Sequence, residues 1–129
     1  MTTKEIGNLG EGIACRHLEG KGFTVIARNY LKKWGEIDIV AHETNRKLHF
    51  IEVKTVTRET GDFPRAISSL HRPEDNVHPQ KLKRMRRVIQ SYLLEKRSEL
   101  CDWQFDVVTV VIHIKDKTAT CRTILNVVL

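Results

Sequence analysis

Apolar residues recur at helical spacing close to the N-terminus, at Ile6, Leu9, Ile13, Ala14 and Leu18. Thr2-Thr3-Lys4-Glu5 ahead of them has the form of a capping box, and Gly20 and Gly22 supply the stop. The pattern then changes to short extended runs, Phe23 to Arg28, Gly35 to Val40 and Leu48 to Lys54. Residues 57 to 79 hold Gly61, Pro64, Pro73 and Pro79 without a sustained period, and so long a connection is usually functional or disordered. A second helix is expected from about Pro79, a favoured first-turn residue, to near Leu100, with Met85, Val88, Ile89 and Tyr92 as its apolar stripe. Gln104 to Ile114 is apolar on both faces and reads as a central buried strand. A turn at Asp116 and Lys117 leads to a last strand, Ala119 to Leu129. The order α-β-β-β-α-β-β predicts an α/β fold: one domain over residues 1–129, with a mixed β-sheet flanked by helices.

The second and third runs carry the chemistry. Only the polar residues Glu43 to Lys47 separate them, so they form a hairpin, and symmetry about Asn45 pairs residues whose numbers sum to 90. Asp38 then faces Glu52, with Cβ atoms about 5 Å apart. At an effective dielectric near 20 the repulsion of two such charges is roughly 3 kcal/mol. A positive charge between them relieves it. Lys54, on the same strand face as Glu52 by the period of two, is one candidate, and a divalent metal is a better one. Mg²⁺ or Mn²⁺ takes oxygen ligands and keeps several waters, so Asp38, Glu52 and the carbonyl of Val53 make a sufficient set. Such an ion activates both a phosphate and its attacking water, and Lys54 would hold that water or offset the developing charge. A surface hairpin with a cross-strand Lys–Glu pair is the plainer alternative. The matching position of Asp38 favours the site.

Charge points to a polyanionic partner. The 129 residues include 22 Lys and Arg against 16 Asp and Glu, a net charge of +6, and that surplus favours nucleic acid. It is concentrated in Lys81-Leu82-Lys83-Arg84-Met85-Arg86-Arg87. Lys83, Arg84 and Arg87 point away from the apolar stripe, as expected of a phosphate-contact face. Lys81 falls on the stripe in the first turn, where a cation opposes the helix dipole and an anion such as a backbone phosphate would relieve the conflict. Arg58, Arg65, His71 and Arg72 of the long connection could add contacts. Glu11 borders the buried face of the first helix; by position alone a solvated glutamate is the simpler reading. Glu36 and Asp106, near strand starts, suit support of the site and capping of a turn equally. Trp34 and Trp103 read as packing residues. The glycines Gly7, Gly10 and Gly12 do not follow a strand and are not spaced as a dinucleotide fingerprint; they suit close backbone packing. Cys15, Cys101 and Cys121 form no C-x-x-C pair, so reduced thiols in a cytoplasmic protein are expected. Neither a signal peptide nor a membrane span is present in the pattern, and no membrane association is expected.

Taken together, the chain resembles the YraN family of small bacterial proteins, related to restriction-endonuclease-like enzymes and archaeal Holliday-junction resolvases. The matching stretches are Gly7-x-x-Gly10-Glu11-x-x-Ala14, Arg28-Asn29-Tyr30, Gly35-Glu36-Ile37-Asp38-Ile39-Val40-Ala41, Phe50-Ile51-Glu52-Val53-Lys54, Lys81 with its basic helix, and Phe105-Asp106-Val107-Val108. The resemblance implies a restriction-endonuclease-like sheet and carries an acidic-acidic-lysine metal site to Asp38, Glu52 and Lys54, with Glu11 as the helical carboxylate. Lys81 is carried over with it. Ile37 stands where the superfamily's named motif has proline, and the stretch around His71 to Asn76 is longer than the family norm. The expected activity is Mg²⁺- or Mn²⁺-dependent cleavage of DNA, on branched or otherwise structured substrates, and paired cuts on a symmetric junction would call for a homodimer. The alternatives are a nucleic-acid-binding module that does not cut and a structural partner in a DNA repair or processing complex.

Overall fold

The computed structural model describes residues 1–59 and 79–129. The chain runs α1 (Thr3–Gly20), β1 (Thr24–Lys32), β2 (Gly35–His42), β3 (Leu48–Arg58), α2 (Pro79–Glu95), β4 (Trp103–His113) and β5 (Thr118–Ile124). The expected order is present. The strands form one sheet in chain order, β1-β2-β3-β4-β5, antiparallel throughout except for the β3–β4 pair, which is parallel. A parallel pair needs a long crossover, and α2 lies within the connection that provides it.

Local chemistry sets the ends of these elements. The Thr2 hydroxyl accepts the N–H of Glu5 at 3.1 Å, and the Glu5 carboxylate accepts the N–H of Thr2 at 2.9 Å, so the capping box starts α1. At the β2–β3 turn, Asn45 Oδ1 accepts the N–H of Lys47 at 3.0 Å, and Arg46 takes a left-handed φ of 68°. The resulting register is the symmetric one: His42–Leu48, Ala41–His49, Val40–Phe50 and Ile39–Ile51.

Each helix covers one face of the sheet. Ala14, Cys15 and Leu18 of α1 pack on Ile39, Ala41, Ile51, Val108, Val110 and Ile112. Met85, Val88, Ile89, Tyr92 and Leu93 of α2 pack on Ile37, Val40, Phe50, Phe105 and Val107. β4 is apolar on both faces because it feeds both clusters, Phe105 and Val107 on one side and Val108 and Val110 on the other. Gly10 gives α1 its close approach: a Cβ there would lie 1.9 Å from the Thr55 hydroxyl oxygen. Gly7 and Gly12 meet no such contact, so the expected close packing belongs to Gly10 alone.

Candidate active site

Beyond Ile39 and Ile51 the β2–β3 ladder stops. β2 continues with β1 as its partner, and β3 continues with β4. Asp38 and Glu52 are the first residues past this fork. Both are buried, 9% and 8% exposed. Asp38 Oδ2 accepts the N–H of Val53 at 2.8 Å, so a carboxylate takes over where the backbone pairing ends. Ile37 packs with the α2 cluster and Ile39 with the α1 cluster, although strand alternation puts positions two apart on one face. The strand is irregular at Asp38.

Asp38 and Glu52 line one cavity, of about 470 Å³, between the β1–β2 connection and the start of α2. Two lysines converge on the glutamate: Lys81 Nζ lies 2.8 Å and Lys54 Nζ 3.7 Å from Glu52 Oε1. The anion that answers Lys81 in the first turn of α2 is therefore Glu52. Burial first, and then the Glu52 charge, push Asp38 up to about 7, against the pull of the Val53 N–H. Glu36 is raised too, by burial and by Glu11 and Glu52. Burial and the neighbouring Lys81 lower Lys54. Burial is the largest single influence on Lys81 and works against its charge, but its bonds to Glu52 and Lys54 together with the Glu52 and Asp38 charges outweigh it, and the net shift is upward. An acidic group prone to hold its proton and a lysine prone to lose one thus stand side by side, as at many catalytic centres.

Glu11 of α1 reaches the same electrostatic neighbourhood, since its charge contributes to the upward shifts of both Asp38 and Glu36. Its Oε1 accepts a hydrogen bond from Asn29 Nδ2 at 2.9 Å and faces Arg28 Nη2 at 3.6 Å. Asn29 holds a φ of 52°, a left-handed conformation that asparagine tolerates better than most residues, between the Arg28–Ile39 and Tyr30–Ile37 pairs. The Arg28-Asn29 motif thus has a physical role: it holds Glu11.

Among the described residues no three His, Cys, Asp or Glu side chains are grouped to hold a metal ion. A cation at the fork would rely on Asp38, Glu52, backbone carbonyls such as that of Val53, and water. That donor set fits Mg²⁺ or Mn²⁺, which require few protein ligands, and not a zinc site of several His or Cys side chains. The paired carboxylates would supply the negative charge such an ion needs once Asp38, raised toward neutral pH, gives up its proton.

Of the basic residues on α2, Lys83, Arg84 and Arg87 are exposed. Arg84 lines the cavity, while the Arg87 guanidinium stacks over the Trp34 ring at 4.4 Å. Arg58 is buried at the end of β3, 9% exposed, so little of it is open to a phosphate. Arg65, with His71 and Arg72, lies outside the described residues.

The sequence gives little warning of one buried polar network. His49, 2% exposed, has Asp106 Oδ2 2.6 Å from Nδ1 and Glu43 Oε2 2.6 Å from Nε2. Asp106 Oδ1 also accepts from Gln104 Nε2 at 2.8 Å and from the N–H of Asn126 at 2.9 Å. The only signal is an acidic residue in an otherwise apolar central strand. Asp106 therefore supports the fold at this network, whereas Glu36 lines the cavity.

Among the described residues no helix is long and apolar enough to cross a membrane. The sequence profile described as "Uncharacterised protein family UPF0102" matches residues 10–110. A "UPF0102 protein" of Alkaliphilus oremlandii is 39% identical over 83% of this chain and 85% of its own length. One from Chlorobium limicola is 37% identical over 86% of this chain and 78% of its own length. One from Caldicellulosiruptor saccharolyticus is 30% identical over 98% of both chains. The matched span contains the whole fork, from Glu11 and Asn29 through Asp38, Glu52 and Lys54 to Lys81, and the chain belongs to UPF0102, the YraN family.

Proposed function

We propose that this protein is a cytoplasmic, Mg²⁺- or Mn²⁺-dependent endonuclease that hydrolyses phosphodiester bonds in DNA. The observation that carries the reading is the meeting of Asp38 and Glu52 at a strand fork with Lys54 and Lys81 beside them. The divalent ion would supply Lewis-acid activation of the phosphate and of the attacking water. Asp38 and Glu52 would hold it, with the Val53 N–H fixing the direction of the Asp38 carboxylate. Lys54, on the same strand face as Glu52, would orient the water and accept or offset charge at the phosphate. Glu11, fixed by Asn29, supports the charge balance of the site. Lys83, Arg84 and Arg87 would meet backbone phosphates, contacts that register shape and not base sequence.

A second reading is a DNA-binding module that does not cut. The 2.8 Å Lys81–Glu52 ion pair favours it, because the lysine already neutralises one of the two carboxylates. The test is incubation with linear, flapped and four-way DNA in Mg²⁺ or Mn²⁺ beside a chelator control. Cleavage that vanishes with the chelator, and in Asp38→Asn and Glu52→Gln, supports the nuclease. Binding without cleavage of any substrate overturns it in favour of the module. Absence of DNA affinity at low salt leaves the role of a protein partner in a larger assembly.

A further inference from the structure

The cavity above the fork has more in it than phosphate chemistry requires. Its floor is Asp38 and Glu52, and its walls include Leu31, Trp34 and Met85 as well as Lys33, Lys81 and Arg84. Cations alone suffice to grip a phosphate, whereas apolar and aromatic surface suits a nucleobase, whose ring face is sequence-neutral. Trp34 is held as a platform would be. Its Nε1 donates to Ser91 Oγ at 3.2 Å, the Arg87 guanidinium covers the ring at 4.4 Å, and the residue, packed against the α2 cluster, also lines the cavity. Leu31 at the rim is 70% exposed, an apolar side chain with no core to serve. The volume, about 470 Å³, lies within the range of pockets that enclose small organic ligands, a scale that includes a single nucleotide.

Depth adds a second constraint. Both floor residues are buried, Asp38 9% and Glu52 8% exposed. A base-paired duplex carries its phosphates on the outside of a stiff rod, and continuous stacking keeps each nucleotide from dipping below its neighbours. A phosphate approaches this floor most readily where its nucleotide can leave the stack, which costs least where the strand is already unpaired.

We infer that the cavity between the β1–β2 connection and α2 binds one unstacked nucleotide, so that the strand engaged at the fork is single-stranded DNA, as in a flap, gap, loop or frayed end. The inference rests on the nuclease reading for the role of the fork but not for the occupancy of the cavity. The base lies against Trp34 and Leu31, and its flanking phosphates meet Lys33 and Arg84. Continuous duplex is bound only through the outer basic face of α2.

The test is a binding measurement on the full chain with a chelator present, so that no cutting is needed. Fluorescence anisotropy at fixed salt compares a labelled single strand with a blunt duplex of the same length. The single strand is expected to bind about tenfold more tightly, and Trp34→Ala to remove about that factor for the single strand while changing the duplex by a smaller factor, since Arg87 loses its stacking partner. Leu31→Ser, at an exposed position that folding does not depend on, removes apolar surface without adding charge, is expected to weaken the single strand alone and covers the case in which Trp34→Ala fails to fold. Equal affinity for the two polymers, tighter duplex binding, or no binding of either overturns the inference. So does loss that is equal for both polymers in the two variants. Metal-dependent cutting of continuous duplex with no single-strand preference would leave the nuclease standing and remove the cavity's role. Single-strand preference through Trp34 without any cutting would do the reverse.

Discussion

Asp38 Oδ2 takes the N–H of Val53 at 2.8 Å, at the first position past the last β2–β3 pair. A side chain here satisfies a backbone donor that the ladder has released, and that bond fixes where the carboxylate points. The bond favours the anion. Burial and the Glu52 charge outweigh it and lift the group to about 7. A carboxylate that is anchored, buried and crowded by another negative charge is poised to accept a cation.

Replacing Asp38 by Asn keeps a hydrogen-bond acceptor for Val53 and removes the charge. The sign follows from the upward shift. Below about pH 4 folded and unfolded chains both hold the proton, and between there and about pH 7 only the folded chain does. Folding stability contributed by this group therefore falls as pH rises through that window, then levels off above it. Asp38→Asn removes this loss, so the metal-free variant is expected to exceed wild type at pH 8 by about 4 kcal/mol, with no such gain near pH 4. Urea midpoints at the two pH values check it. If Asp38 ligates the ion as proposed, Mn²⁺ raises the melting temperature of wild type only.

Lys54 and Lys81 touch the same Glu52 oxygen but are expected to differ in role. Lys81, the nearer of the two, would compete with the proposed divalent cation for that oxygen. Lys81→Ala should lower the Mn²⁺ concentration for half-saturation by roughly tenfold, about 1.4 kcal/mol, as read by calorimetry. Lys54→Ala should leave metal affinity within about threefold and reduce cleavage at least a hundredfold, the usual scale for removing one positioned electrostatic group. Equal effects of the two substitutions on metal affinity would show that they share one role.

What the sequence discloses follows the range of the interactions. The Thr2–Glu5 box, the Asn45-centred hairpin and the both-faces-apolar β4 are local patterns, and each is present in the fold. Asp38 and Glu52 come together because a short turn sets their register. Lys81 does not share that logic. It reaches Glu52 only after α2 has docked on the sheet, and the wheel of an isolated helix shows a cation on an apolar stripe without its partner. Glu11 depends on the left-handed Asn29, which spacing does not reveal. His49 and Asp106 are 57 residues apart and meet because β4 lies parallel to β3, a pairing that strand patterns alone leave open.

The His49 network predicts a stability effect at a distance from the fork. His49→Ala would leave Asp106, 1% exposed, without one of its partners, and would open space beside Phe23, whose ring meets the imidazole edge-on at 4.8 Å. Breaking one side of a buried polar pair costs about 3 kcal/mol or more. Chemical denaturation should show that loss. Metal binding at the fork, on residues the substitution does not touch, should remain within about threefold of wild type whenever the variant is kept folded.

Gly10 offers the sharpest steric test. A Cβ at this position would sit 1.9 Å from Thr55 Oγ1 and 2.7 Å from its Cγ2, both on a strand that α1 covers. Neither atom is the end of a flexible side chain, so Gly10→Ala must push α1 off the sheet or force Thr55 from its rotamer. Overpacking of this kind costs typically 1–3 kcal/mol, more than the roughly 1 kcal/mol that alanine gains over glycine in a helix. The net expectation is a loss of up to about 2 kcal/mol in unfolding free energy, read from urea denaturation. Thr55→Ala removes the two clashing atoms and leaves the Thr55 Cβ position at 2.8 Å, a contact that a small helix shift relieves. The double variant should therefore recover much of the loss, with a coupling energy of at least about 1 kcal/mol. Since α1 also carries Glu11, the proposed cleavage should fall in Gly10→Ala along with stability and return in the double variant. Purely additive losses would mean that α1 does not rest on Thr55, and that Glu11 is placed by Asn29 and Arg28 without help from the helix's approach.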